Sequence, residues 1–342
     1  MTGRPLVFLV PEGIDDPSRV SGGNVYDRRV RDGLGSRGWR VRTVETSDAA
    51  GATAALREVP RGETVLVDGL VALRAPEAFA EAAARVRTVV LAHMVAAAFP
   101  DAMALTVAAE RQALRAADHI VVTSRWTAEE LRRRGLADPE RVTIAPPGVD
   151  VPAARSSPRT GQEPPRLDLL CVGVVAPHKG QDVLLAALDR LPGRGWTCRI
   201  VGSPRPFGAF ASSVARDAQR FSGRVRLTGV LGGPELAVEY RRSALLVAPS
   251  RVESSGMAIA EARGHGVPVL AAAVGGIPDT VAGGGAILVP PDDPAALAAA
   301  LDAWMMDPAL RRRLRAEARA ARAGLPAWTG TVAAVSDALE RS

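Results

Sequence analysis

Twice along its length this chain repeats one pattern, a short apolar run followed by a longer segment of alanine, leucine and arginine at helical spacing. Strands buried on both faces read as continuous apolar runs, and parallel strands need a crossover between them, so the alternation predicts parallel sheets with helices on both faces. In the first half the strand candidates are PLVFLV (5–10), RVRTVE (40–45), TVLVDG (64–69), RTVVLAH (87–93), HIVVTS (119–124) and VTIAPP (142–147). In the second half they are LDLLCVG (167–173), TCRIVG (197–202), RVRLTG (224–229), ALLVAPS (244–250), VPVLAA (267–272) and AILVPP (286–291). VPAARSSPRTGQEPPR (151–166) lacks any period and reads as a linker between two doubly wound domains, 1–150 and 167–326. A terminal helix over 327–342 opens at Trp328. Two such domains back to back leave a central cleft, and open α/β sheets bind ligands beyond the carboxyl ends of their strands.

Length agrees with two domains, since 342 residues can fill two separate cores. The net charge of +6, carried far more by arginine than lysine, suits anionic ligands or an anionic membrane face. No zinc-finger spacing, aromatic RNA-binding strip or basic tail is visible, and RRRLRAEARAAR (311–322) reads as a solvated helix face, so nucleic acid is not expected as a partner. Cys171 and Cys198 stand in apolar strands without a CxxC pairing, as small core residues of a reduced, cytoplasmic protein. The apolar run near the N-terminus is too short for a signal peptide, and no run is long enough to span a bilayer. Peripheral contact at the inner membrane face stays open; AHMVAAAFPDAMAL (92–105) reads first as core or interdomain packing, with the border of a ligand entrance or contact with lipid as the alternative.

The densest chemistry lies in SRVESSGMAIAEARGHGVPVLAAAVGG (250–276). Glu253 falls in a loop, Glu261 in a helix, and Gly256 at that helix's mouth, where unpaired N–H groups and the helix dipole favour a phosphate. Two acids beside such a site are expected to accept hydrogen bonds from hydroxyls further out. Four other places add to it. Gly22 and Gly23 form a glycine turn after the first strand, His93 ends a buried strand, Lys179 follows strand-ending Gly173 as a point charge suited to a diphosphate, and Gly275–Gly276 allow close backbone approach. No GxGxxG follows the first strand, which argues against a dinucleotide-dependent dehydrogenase.

Taken in order, the paired glycines, the strand-end histidine, G-x-x-x-P-x-K-G, E-x7-E, GG-x-P-[DE]-x-V and LVPP-x-DP-x-AL resemble the family 4 glycosyltransferases (GT4), in particular compact actinobacterial-type members. The resemblance covers about residues 5 to 340. It implies the GT-B fold, two Rossmann-like domains facing a cleft, with the terminal helix packing back on the N-terminal one. It further implies a retaining hexosyltransferase that moves a sugar from a UDP-, GDP- or other nucleotide diphosphate donor to an acceptor hydroxyl, with no metal and no permanently bound cofactor. By the same resemblance Lys179 neutralises the diphosphate, and Gly173 and the backbone of Gly256, Met257 and Ala258 meet the phosphate or donor sugar. Glu261 holds the ribose, Glu253 stabilises the charge developing on the sugar ring, His93 acts near the anomeric centre, and Gly22 and Gly23 border acceptor and phosphate.

Two positions depart from the family pattern. Val174 stands where many members have arginine, so Arg251, Arg205 or His178 would have to compensate, and Ser255 replaces an aromatic. The alternatives are a nucleotide-sugar-binding protein without turnover, a GT-B-like epimerase or phosphorylase, and a glycosidase built on Glu253 and Glu261. The sequence does not disclose base, sugar, acceptor or oligomeric state.

Overall fold

A computed structural model describes residues 3–152, 167–191 and 195–341; the expected linker lies outside the described residues from 153 onward. Contacts divide the chain into one unit of Met1–Asp16, Gly22–Gly148 and Pro326–Ser342 and another of Pro17–Ser21 and Val149–Leu325. Each apolar run contains a strand. Where prolines bound a run the strand is shorter, as at Ala248 before Pro249 and Val289 before Pro290, because proline cannot donate to the ladder.

In the first unit the elements run β1 (Arg4–Pro11), α1 (Gly22–Leu34), β2 (Trp39–Thr46), α2 (Ala49–Glu58), β3 (Thr64–Asp68), α3 (Gly69–Arg74), α4 (Pro76–Ala83), β4 (Arg87–Ala92), α5 (Ala104–Ala116), β5 (His119–Val122), α6 (Arg125–Arg133) and β6 (Val142–Ile144). All strand pairs are parallel, in the order β2-β1-β3-β4-β5-β6. Alternation along β1 supplies both faces of the sheet. Val7 and Leu9 pack with Leu56, Val71 and Phe79 on one side, while Leu6, Phe8 and Val10 pack with Tyr26, Val30 and Leu34 on the other.

The second unit continues with β7 (Leu167–Val172), α7 (Gln181–Leu188), β8 (Trp196–Val201), α8 (Gly208–Gln219), β9 (Val225–Gly229), α9 (Gly233–Arg242), β10 (Leu245–Ala248), α10 (Met257–Gly264), β11 (Val269–Ala272), α11 (Ile277–Val281), β12 (Ala286–Val289), α12 (Pro294–Met306) and α13 (Pro308–Ala321). Its sheet is again parallel, ordered β12-β11-β10-β7-β8-β9. Asp293 and Asp307 each cap the helix that begins with the next residue, a proline, which explains the two Asp-Pro pairs of this segment. Cys171 and Cys198 are buried and unpaired, and burial pushes the Cys171 thiol up to about 12.

The last helix, α14 (Trp328–Arg341), belongs to the first unit. It buries Val335 and Leu339 beside α1, Trp39 Nε1 donates to Ser336 Oγ at 3.0 Å, and Thr331 Oγ1 donates to Pro146 O at 2.6 Å.

Strand order identifies where each sheet can hold a ligand. Connections leave in opposite directions on the two sides of a switch point, which opens a crevice beyond the strand ends there. In the first sheet that point lies between β1 and β3, and in the second between β7 and β10.

Candidate functional site

At the switch point of the second sheet, β7 leads into Gly173 and a 3-10 turn, Pro177–Lys179, and β10 leads into the loop carrying Glu253. Gln181, fully buried at the start of α7, clamps the first loop: its Nε2 donates to Val174 O at 3.0 Å and its Oε1 accepts from Ala176 N at 3.3 Å. Gly180 adopts φ +67°, and a side chain there would run into Pro249 O. The turn therefore presents Lys179 toward the β10 loop, where its ammonium lies 2.6 Å from Glu253 Oε2. Lys179 is also the only lysine of the chain, a signal legible in the sequence itself.

Glu253 is placed differently from the expectation that the acids stand away from the helix mouth. Its Oε1 accepts the Gly256 N–H at 3.2 Å, so the carboxylate sits at the entrance of α10 itself. A largely buried carboxylate needs such donors. Burial pushes Glu253 up, but the Lys179 ammonium, its hydrogen bond, the Gly256 N–H and His178 outweigh burial and hold the carboxyl below its ordinary range. Gly275 supports the same residue from behind. With φ +57° it leaves no room for a Cβ against Glu253 O, and Gly276 N donates to that oxygen at 3.1 Å.

Gly256, at φ +68°, opens α10. The first N–H groups to bond within this helix turn are those of Ile259 and Ala260, both to Gly256 O, so the N–H groups of Met257 and Ala258 precede the ladder. One turn further along, Glu261 Oε2 accepts from the buried Tyr240 hydroxyl at 2.8 Å, and the Tyr240 ring stacks on His265 with centroids 5.2 Å apart. Lys179, Gly173, Glu253 and Gly256 thus form one group, with Met257, Ala258 and Glu261 on the adjoining helix.

Arg251 does not supply the additional cation expected in place of an arginine at Val174. Its guanidinium is engaged by Asp182 at 2.8 and 2.9 Å, Asp292 at 2.8 Å and Pro177 O at 2.7 Å, while its backbone N–H donates to His178 O at 2.8 Å. It braces the Lys179 turn.

In the first unit, Gly22 and Gly23 open helix α1 instead of forming a separate turn, and neither has positive φ. A Cβ on Gly23 would meet His93 Cδ2 at 3.5 Å, so this helix start lies against the imidazole. His93 follows β4, and its Nε2 lies 2.8 Å from Asp27 Oδ1 and 3.3 Å from Asp68 Oδ2. Both acids are almost wholly buried, Asp27 on α1 and Asp68 at the end of β3. The three ligand-type atoms lie within 4.8 Å of one another. The Nε2 hydrogen bond to Asp27 makes this a hydrogen-bonded triad. Neither acid was singled out from sequence, although Asp68 ends a buried strand as His93 does, and Asp27 shares a helix face with Tyr26, Val30 and Leu34.

The segment 92–105 divides. His93 and Val95 turn inward and Glu110 accepts the N–H groups of Ala96 and Ala97 at 2.6 and 3.1 Å, whereas Met103 and Leu105 are 69% and 82% exposed. Beside them, a groove of about 760 Å³ along α5 is lined by Val107, Arg111 and Arg115 and holds none of the candidate residues. Among the described residues no helix is long and apolar enough to cross a membrane.

Comparison with known proteins matches residues 166–307 to the model for Glycosyl transferases group 1 and residues 64–152 to that for Glycosyltransferase Family 4. A D-inositol 3-phosphate glycosyltransferase of Streptomyces bingchenggensis is 36% identical over 253 residues, 68% of this chain and 55% of that protein. One from Thermobispora bispora is 35% identical over 257 residues, 70% and 60% of the two chains. The chain therefore matches little more than half the length of these relatives. Among solved structures, sucrose-phosphate synthase from Thermosynechococcus elongatus superposes with a TM-score of 0.80 at 22% identity over 98% of both chains. Anabaena HepE in complex with UDP and glucose superposes with a TM-score of 0.75 at 19% identity over 98% of this chain and 99% of its own. These superpositions identify the fold as GT-B.

Proposed function

For a chain that belongs to glycosyltransferase family 4, we propose transfer of a sugar from a nucleotide diphosphate donor to an acceptor hydroxyl, with retention of anomeric configuration and without a metal. The observation that carries this reading is the Lys179–Glu253 pair at the mouth of α10. As a sugar–phosphate bond breaks, positive charge grows on the ring and negative charge on the departing diphosphate. A fixed ammonium beside a fixed carboxylate complements that separation when the diphosphate faces Lys179 and the ring faces Glu253. Lysine carries three N–H donors, so Lys179 can keep Glu253 and still bind a phosphate oxygen.

The remaining roles follow the same division. The N–H groups of Met257 and Ala258 receive phosphate or sugar oxygens, and Gly173, at φ +152°, lies beside the lysine stem, 3.6 Å from where a Cβ would stand. Glu261, oriented by Tyr240, accepts the ribose hydroxyls. His93, Gly22 and Gly23 serve the anomeric and acceptor side. The departing phosphate takes the acceptor proton, so no separate side-chain base is assigned. HepE was solved with UDP and glucose, and the curated relatives are named for inositol 3-phosphate, so UDP-sugars and that acceptor are the first substrates to test.

Incubation with a panel of nucleotide-sugars and inositol 3-phosphate, reading nucleoside diphosphate release, product anomer and the effect of EDTA, tests the proposal. The expected outcome is EDTA-resistant turnover with retained configuration. Donor binding without turnover would favour a nucleotide-sugar-binding protein, the reading to which Val174 and the committed Arg251 lend weight. The buried, unpaired cysteines support a cytoplasmic protein, and exposed Met103 and Leu105 beside Arg111 and Arg115 support peripheral contact with anionic lipid. Co-sedimentation with anionic but not zwitterionic vesicles checks that contact.

A further inference from the structure

His93 stands at a strand end with one ring nitrogen turned inward. Its Nε2 faces Asp27 Oδ1 at 2.8 Å and Asp68 Oδ2 at 3.3 Å, which requires the hydrogen to be on Nε2. Asp68 Oδ1 is occupied by the Leu70 N–H at 2.6 Å. Asp27 Oδ2 is buried without a donor, and its neighbour is the Asp68 carboxyl. Two ionised acids in so dry a place would be costly unless a cation matched them, and a protonated imidazole beside both supplies one. The Tyr26 ring, whose hydroxyl donates to Ala145 O, meets the imidazole in a T-shaped contact, and Thr123 Oγ1 donates to the His93 backbone O at 3.4 Å. No hydrogen bond to Nδ1 occurs among the described residues, and the side chain keeps 16% of its surface exposed.

We infer that Asp27 and Asp68 are positioning residues that hold His93 as an imidazolium, so that its Nδ1–H is a permanently charged donor to a substrate oxygen and not a proton-accepting base. Burial works against the ring's charge, but Asp27 and then Asp68 overcome it and raise the ring to about 10, while burial raises Asp27 to about 7. The substrate oxygen, a phosphoryl or sugar oxygen, rests on the transferase reading; the charge state does not.

Nitrogen and carbon NMR of the labelled full chain separates the two. Four histidines are present, so single His→Gln changes at His119, His178 and His265 assign the fourth ring. His93 should show both nitrogens protonated at pH 8. In Asp27→Asn its midpoint should fall by about one pH unit or more, with a change in the same direction in Asp68→Asn, thermal unfolding being followed in parallel. A neutral His93 ring at pH 7 in the unaltered protein overturns the inference even if both variants fail to fold. Saturable shifts of the His93 resonances on adding Zn²⁺ or Mn²⁺ would overturn it too, in favour of coordination. For the active protein, kcat/KM should be level across neutral pH, with its alkaline decline moved to lower pH in the Asp27→Asn variant. A base-type rise near pH 6.5 in the unaltered protein would overturn the donor role while leaving the transferase reading intact.

Discussion

Lys179 and Glu253 are 74 positions apart, and each was legible by itself: the lysine from the loop after a strand, the acid from its place before a glycine-started helix. Their pairing was not legible, because it depends on β7 and β10 being neighbours at a switch point, a long-range consequence of strand order. The same limit applies to Arg251, whose acidic partners Asp182 and Asp292 lie far away in sequence and turn an expected ligand cation into a brace. The proposed roles predict distinct losses. Lys179→Ala should weaken nucleoside diphosphate binding about tenfold to a hundredfold, the scale of a charge-assisted contact worth about 1.5–3 kcal/mol. Glu261→Ala should also raise the nucleotide Kd, whereas Glu253→Gln should chiefly lower kcat; calorimetry and steady-state rates measured side by side would refute the division if both acids moved both quantities equally. Because Lys179 is the sole lysine, amine modification followed by mass spectrometry gives a check without mutation: nucleoside diphosphate should protect it.

At the scale of elements, the twelve short apolar runs between helical segments were enough to locate the strands, although β2, β6 and β9 are only partly buried. What periodicity could not convey is which backbone a glycine turn approaches. Gly275–Gly276 is expected to allow close backbone approach, and the backbone it meets is Glu253's own. Gly275→Ala should therefore destabilise the second unit by about 1–3 kcal/mol and lower turnover with little effect on nucleotide affinity, as read by denaturant melts and kinetics. The junction of α1, β3 and β4 has a different signature. A ring raised from 6.5 to about 10 stabilises the fold fully below its unfolded value and loses that contribution as pH rises through 10. An acid raised from 3.8 to about 7 acts in the same direction, since the fold loses stability as it ionises between those values. Thermal midpoints of the full chain should thus fall from about pH 7 toward 10, and His93→Asn should flatten the alkaline part of the slope.

Over the whole molecule, both units are parallel sheets of six strands, yet their orders differ: the first reverses direction next to β1 and β3, the second next to β7 and β10. Sequence alternation predicted two doubly wound sheets but is silent on strand order, which is decided by how crossovers pack and leaves no local trace in any one element. Both sets of candidate residues nevertheless fall at those reversals, where the sheet geometry opens a place for a ligand. Helix α14 has another kind of consequence. It follows the second unit in the chain, yet it covers Trp39 and Val30's side of a sheet whose strands precede that unit. The first unit consequently stays unfinished until the second has been made, waiting on a piece encoded after it. A fragment of residues 1–150 should expose that apolar face and aggregate, and adding a peptide of residues 326–342 in trans should restore a cooperative melt.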